Sequence, residues 1–278
     1  MRRVNDPDLH PPMELDITPR DLRFAALADA VALWRAREPD AAAFYNSLSA
    51  LFPRGERFFI DSVRAFRSSV SGPLADEVKA FVRQEAIHTR EHLAFNAQVT
   101  VAGYDIGPLE ARTRRQVEAM NTRPALVQLG LTVALEHITA TLAHELLADP
   151  RHLASAPAET ARLWRWHAIE EIEHKAVAFG TLLAATRQWS SARRWVFRSR
   201  LFAEAAGKLM QTIWLNLIDL RRQDGPEAFK FGAALAYLFL RPGLLAKMTP
   251  ALLSYLAPGF HPWRHDNRPL VQASLRLI

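Results

Sequence analysis

Three features of this 278-residue sequence predict an all-α fold. Long runs place apolar residues at i, i+3, i+4 and i+7, the spacing of one helical face. No segment alternates apolar and polar residues as a series of strands would. Proline and glycine punctuate the periodic runs, at the positions where helices begin and end. With 49% hydrophobic and 23% charged residues, the composition is that of a folded protein and excludes disorder as the main state. The length suffices to bury a sizeable core.

The elements follow in order. Residues 1–38 read as an N-terminal arm, with a Pro-rich, extended lead over 1–19. A first helix is expected over about 39–50 and, after Phe52-Pro53, a second to about 69. Pro73 opens a run to about 102, which Gly103 closes. Pro124 opens another to about 147, ended by Asp149-Pro150, and Pro157 precedes a run to about 185. Residues 191–222 read as one long helix, and two shorter ones follow Pro226 and Pro242. Residues 39–186 thus form a helical bundle, and 187–278 form a helical C-terminal extension packed on it within a single domain.

Charge and composition remove several function classes. The chain has no cysteine, which excludes disulfides, zinc ribbons, iron–sulfur clusters and thiol nucleophiles together. Any metal must be held by His, Asp and Glu. Lys plus Arg is 35 against 29 acids, a modest net charge of +6. Part of the excess is concentrated at Arg187, Arg193, Arg194, Arg198, Arg200, Arg221 and Arg222. A solvated helix face is the expectation there, and no nucleic-acid motif accompanies it. The N-terminus lacks the apolar core of a secretory signal, and the uncharged stretches 209–218, 231–240 and 248–263 are too short or broken to span a bilayer. The expectation is a cytoplasmic protein, with peripheral contact at the inner face of the membrane through its apolar C-terminal segments.

Four helices carry acids, or acid–histidine pairs, where apolar residues are expected. They supply Glu56, then Glu85-Ala-Ile-His88, then Glu136, then Glu171-Ile-Glu-His174. Positions three apart lie about 60° from one another on a helix, so each Glu and His pair can approach a metal from a single face. Carboxylates suit hard ions and can bridge two of them, while imidazole supplies a neutral terminal donor. Two Glu-x-x-His helices with one Glu from each of two others form the ligand set of a dinuclear carboxylate centre in a four-helix bundle. Without a metal, several acids would be buried unpaired at a cost of several kcal/mol per charge.

This pattern resembles the ferritin-like di-iron carboxylate superfamily over about residues 40–186. Phe52-Pro53-Arg54-Gly55-Glu56, Glu85-Ala-Ile-His88 and His167-Ala-Ile-Glu-Glu171-Ile-Glu-His174 resemble more closely a bacterial family of predicted metal-dependent hydrolases. So does Pro258-Gly259-Phe260-His261-Pro262-Trp263, which extends the likeness over nearly the whole chain. His167 lies four residues before Glu171, about 40° away on the same face. His167-x-x-x-Glu171-x-x-His174 is similar to the third-histidine arrangement of the di-iron arylamine N-oxygenases. That resemblance implies seven ligands: Glu56, Glu85, His88, Glu136, His167, Glu171 and His174. No amine-binding signature accompanies them.

The expected function is that of an oxygen-activating oxidoreductase with two iron ions, O2 as co-substrate and an external electron donor. It would act on a small or lipid-like organic substrate, with Glu85 and Glu171 as flexible or bridging carboxylates. The alternative is a metal-dependent hydrolase using zinc or manganese and a bridging water. A second alternative is a non-enzymatic iron-binding protein. The extension suits a lid, a pocket wall or the surface of a homodimer. Glu170 and Glu173 are expected beside the ligands or facing solvent, and Glu91 at the surface. His92 and His137 are expected as ordinary helix histidines or as hydrogen-bond partners of the ligands. Trp164 and Trp166 are expected as core or rim aromatics, and His261 and Trp263 as anchors of the extension.

Overall fold

Among residues 15–24, 28–225 and 227–278, which the computed structural model describes, every regular element is helical. In chain order these are α1 (Ala28–Arg37), α2 (Pro39–Arg64), α3 (Pro73–Val101), α4 (Gly107–Asn121), α5 (Ala125–Ala148), α6 (Ala158–His174), α7 (Val177–Ala185), α8 (Ser191–Arg222), α9 (Phe231–Phe239), α10 (Leu244–Ser254) and α11 (Arg268–Ser274), with short 3-10 turns between some of them. Proline occupies the first turn of α2, α3 and α4, where its missing N–H has no intrahelical partner to lose. Gly103 adopts φ +95° just past the end of α3, a conformation that favours glycine. α2 packs on α3, α5 on α6, and α8 lies against both α2 and α5.

The core is two apolar clusters rather than one. The first includes Phe44, Leu48, Ile87, Phe95, Ala143, Leu146, Leu163 and Ile172. The second includes Phe58, Val63, Val78, Phe81, Val133, Ala134, Val177 and Phe179. α2, α3 and α5 each pass from one cluster to the other, and at each changeover stands a buried acid: Glu56 on α2, Glu85 on α3 and Glu136 on α5. α6 lies in the first cluster and α7 in the second, with buried His174 at the end of α6. A polar layer therefore crosses the bundle between two dry ones.

Five features depart from the sequence expectation. First, α2 runs unbroken through Pro53, where a break is expected. Proline removes the N–H that would bond the Ser49 carbonyl. Asn96 on α3 replaces that donor, its Nδ2 lying 3.0 Å from Ser49 O. Second, α1 lies inside the expected arm, anchored by buried Val31 and Trp34. Residues 15–24 form no regular element, and 1–14, the rest of the lead expected to be extended over 1–19, lie outside the described residues. Third, α4 was not expected, because its sequence is polar and buries only Leu109 and Thr113. Fourth, the run after Pro157 breaks at Lys175-Ala176. There buried Lys175 donates to His265 O (2.6 Å) and to the Asn267 side chain, and its Nζ lies 4.0 Å from the Trp263 ring centre. Fifth, the arginine stripe is not a uniformly solvated face. Arg198 is buried and donates to the carbonyls of Tyr255 and Ala257, while Arg221 pairs with Asp40 and Asp224.

By length and composition α5 could cross a membrane, as could α9 and α10 taken together across their 54° bend. The apolar window of α5 is 56% buried inside the protein, and the helix carries Glu136 into the polar layer. Its apolar character reflects a position at the centre of the bundle, where every face meets protein.

Candidate metal centre

Each expected ligand comes from a helix that turns it inward. Glu56, Glu85, His88, Glu136, His167, Glu171 and His174 are all buried, and the structure brings them into one cluster. His174 Nε2 lies 3.3 Å from Glu85, 3.4 Å from Glu136 and 3.5 Å from Glu171. His88 Nδ1 is 3.7 Å from Glu171 Oε1, and His167 Nε2 is 2.9 Å from the same oxygen. Four overlapping groups have donor atoms within 4.8 Å of one another: Glu56–Glu85–His88, Glu85–Glu171–His174, His88–His167–Glu171 and Glu56–His92–His167. Glu56, Glu85, His88, His167 and Glu171 each belong to two of them.

Many inward-facing atoms have no hydrogen-bonding partner. These are Glu56 Oε1, both oxygens of Glu85, His88 Nδ1, both oxygens of Glu136, Glu171 Oε2 and His174 Nε2. Buried polar atoms are almost always paired, so a concentration of bare ones at a single point marks a place built for something else.

The far sides of the imidazoles are tied down. His88 Nε2 lies 3.1 Å from Glu170 Oε2, and His174 Nδ1 lies 3.0 Å from Gln84 Oε1. Gln84 Nε2 donates to Glu173 (3.0 Å). The Arg20 side chain bridges Glu173 (2.6 Å) and Glu170 (3.4 Å), and the backbone N–H groups of Thr18 and Arg20 bond the same two carboxylates. Thus Glu170 and Glu173 stand beside the ligands, one of the two expected placements. Such outer partners fix which ring nitrogen faces a metal.

The third histidine is set by a relay. Ser49 Oγ donates to Asn96 Oδ1 (2.7 Å), so it accepts from His92 Nδ1 at 2.9 Å. His92 Nε2 then accepts from His167 Nδ1 at 2.6 Å. His167 presents its other nitrogen, Nε2, to Glu171 Oε1 at 2.9 Å.

Burial dominates the electrostatics. It pushes the Glu56 and Glu85 carboxyls well above the usual carboxylate range and Glu136 up to about 8. Burial also holds His88 and His92 well below the ordinary imidazole value. At His174 burial opposes charge, but the neighbouring Glu136 and Glu171 carry its pKa up to about 9. At Glu171 burial acts upward, and His174 and His167 outweigh it, leaving the carboxylate well below its usual value. The cluster thus keeps charge low by holding protons, the state from which cations displace protons.

One of the remaining expectations is corrected. Glu91 is buried, not at the surface, and it binds Arg23, Arg90 and the Phe24 N–H. His137 turns away from the cluster and donates to Ala251 O at 3.1 Å. His261 and Trp263 do anchor the extension, His261 against Phe179 and Trp263 against Lys175. Trp166 lies edge-on to His88 and its Nε1 donates to Glu170 (3.2 Å).

An apolar cavity of about 500 Å³ opens beside the cluster. Helices α2, α4, α5 and α8 and the 238–252 segment wall it, and Glu56 is the one candidate ligand among its lining residues. Thr89 Oγ1 donates to Glu56 Oε2 (2.9 Å) and leaves Oε1 bare.

A family model described as "predicted metal-dependent hydrolase" matches residues 18–266. The chain belongs to this family. Searches of curated proteins and of solved structures found no match. Metal dependence agrees with the buried carboxylate–imidazole cluster. The hydrolase description fits the hydrolytic alternative of the sequence analysis better than its oxygen-dependent reading. Sequence reasoning in this predicted metal-dependent hydrolase missed Arg20, Gln84, Ser49, Thr89 and Asn96. The burial of Glu170 and Glu173 was the one available signal, since two acids there require a cation, but nothing in the spacing points to Arg20.

Proposed function

We propose that the protein is a metal-dependent hydrolase with a dinuclear centre held by Glu56, Glu85, His88, Glu136, His167, Glu171 and His174. The convergence of unpartnered carboxylate and imidazole atoms carries this reading. The donor set of carboxylates and imidazoles without thiolate fits iron, manganese or zinc. Glu56, Glu85 and Glu171 are the carboxylates shared between two donor groups, and Glu85 and Glu171 would be the ones to bridge two ions. Two such ions supply Lewis acidity, an activated water and a clamp for charge developing on an ester, amide or phosphate.

The remaining work falls to the chain. Glu170 and Gln84 orient His88 and His174, and Ser49 and His92 set the tautomer of His167. Phe52, Phe59 and Leu135 line the cavity together with Glu56 and make that part of its wall apolar. A molecule bound there would approach the centre from the side of Glu56.

One observation favours a second reading, a di-iron oxygenase working with O2. The cavity reaching Glu56 is walled almost wholly by apolar groups, an environment suited to oxidising a C–H bond or an amine. Elemental analysis of protein purified without added metal separates the possibilities. About two zinc or manganese ions per chain, with hydrolysis of chromogenic esters, supports the hydrolase. About two irons with consumption of O2 supports the oxygenase. No metal under any loading condition overturns both.

A further inference from the structure

The cavity is chemically graded. Its body is lined by Phe44, Leu48, Leu131, Leu209, Ile213 and Met248. Among its lining residues Arg115 and Ala119 on α4 and Glu204, Lys208 and Met210 on α8 are exposed and so mark its mouth. Neighbouring Arg112 is held by Asn216 and Asp219, and Arg123 by Glu204. No hydrogen bond or ion pair ties the side-chain cations of Arg115 and Lys208 among the described residues. The volume lies within the roughly 300–1,000 Å³ of small-molecule pockets. An apolar cavity with free cations at its exposed rim and a buried candidate ligand in its wall is complementary to a molecule with one charged end.

We infer that the cavity binds a single-chain amphiphilic anion, with its head between Arg115 and Lys208 and its apolar chain directed toward Glu56. This deepens the hydrolase reading by naming its substrate class, and it rests on that reading only for the fate of the buried end. Gly55 supplies a selective block. It lines the cavity, and a Cβ added there meets nothing within 4 Å, so a larger side chain enters open space.

Isothermal titration calorimetry on the full-length chain tests the inference, with octanoate, decanoate and dodecanoate as probes and dodecyltrimethylammonium as the cationic counterpart. Dodecanoate is expected to bind once per chain, with affinity rising about fourfold for each added methylene. The cationic counterpart is expected to bind at least tenfold more weakly. Arg115→Glu with Lys208→Glu, both at exposed positions, should reverse that preference, and Gly55→Leu should weaken dodecanoate at least tenfold. Far-UV circular dichroism establishes that each variant is folded. Binding without chain-length dependence, equal affinity for the cation, or an unaltered affinity in folded Gly55→Leu overturns the inference. So does binding only to phosphatidylglycerol vesicles, which would make the surface a membrane contact. Metal content is measured on the same samples. Metal without dodecanoate binding sinks this inference alone, and dodecanoate binding without metal sinks the metal-centre reading alone.

Discussion

Glu171 shows how much one position can carry. A single oxygen faces His88, His167 and His174, while the other has no hydrogen-bonding partner. Glu171→Gln keeps the volume and removes the charge, so it should cut metal content below half of the native value by elemental analysis. Gln84→Ala touches no metal, yet it frees the His174 ring, and metal affinity should fall about 10–100-fold in chelator competition. His167→Ala separates two ligand sets. Loss of metal supports seven ligands, whereas full retention of metal and spectrum leaves six. His152 offers a pH test away from the site. Both its ring nitrogens are unpartnered, and burial holds its pKa down to about 4. Between about pH 6.5 and 4 the unfolded chain binds this proton and the folded chain does not, so stability falls as pH drops through that window. Urea denaturation at pH 7 and pH 5 should show a smaller loss for His152→Leu than for the parent.

At the scale of elements, α2 and α3 depend on each other through Pro53 and Asn96. Asn96→Leu leaves the Ser49 carbonyl without its donor and the Ser49 hydroxyl proton without its acceptor, and should cost about 1–3 kcal/mol in denaturant unfolding. Pro53→Ala restores an intrahelical donor, so it should recover part of that loss in the Asn96→Leu background. The extended segment 15–24 acts through Arg20. Arg20→Ala leaves two buried carboxylates without their cation and should destabilise the fold by about 3–5 kcal/mol. Spacing made the Glu and His residues of α2, α3, α5 and α6 legible, because faces of a helix follow from about 100° per residue. It could not show that the helix continues through Pro53, because the compensating donor lies 47 positions away in sequence. Nor could it show α4, whose apolar face is narrow because it covers a cavity rather than a core.

On the scale of the whole molecule, two apolar clusters flank a polar layer in which several carboxylate and imidazole atoms lack hydrogen-bonding partners. Cations bound there would bind only the native state, because the layer is assembled from four helices. At about 100 times the dissociation constant such binding adds about 2.7 kcal/mol. Chelation should therefore lower the thermal midpoint by about 5 °C, read by calorimetry, and re-addition of metal should restore it. The helical class and the inward-facing acids and histidines were legible in the sequence itself, since helical periodicity is local. Only the tertiary structure decided that Arg20 holds Glu170 and Glu173 at separations of 150 and 153 residues, that Ser49 and His92 set His167, and that the extension walls a cavity lined by Glu56. Those are contacts between side chains far apart in the chain, and packing, not spacing, chooses them.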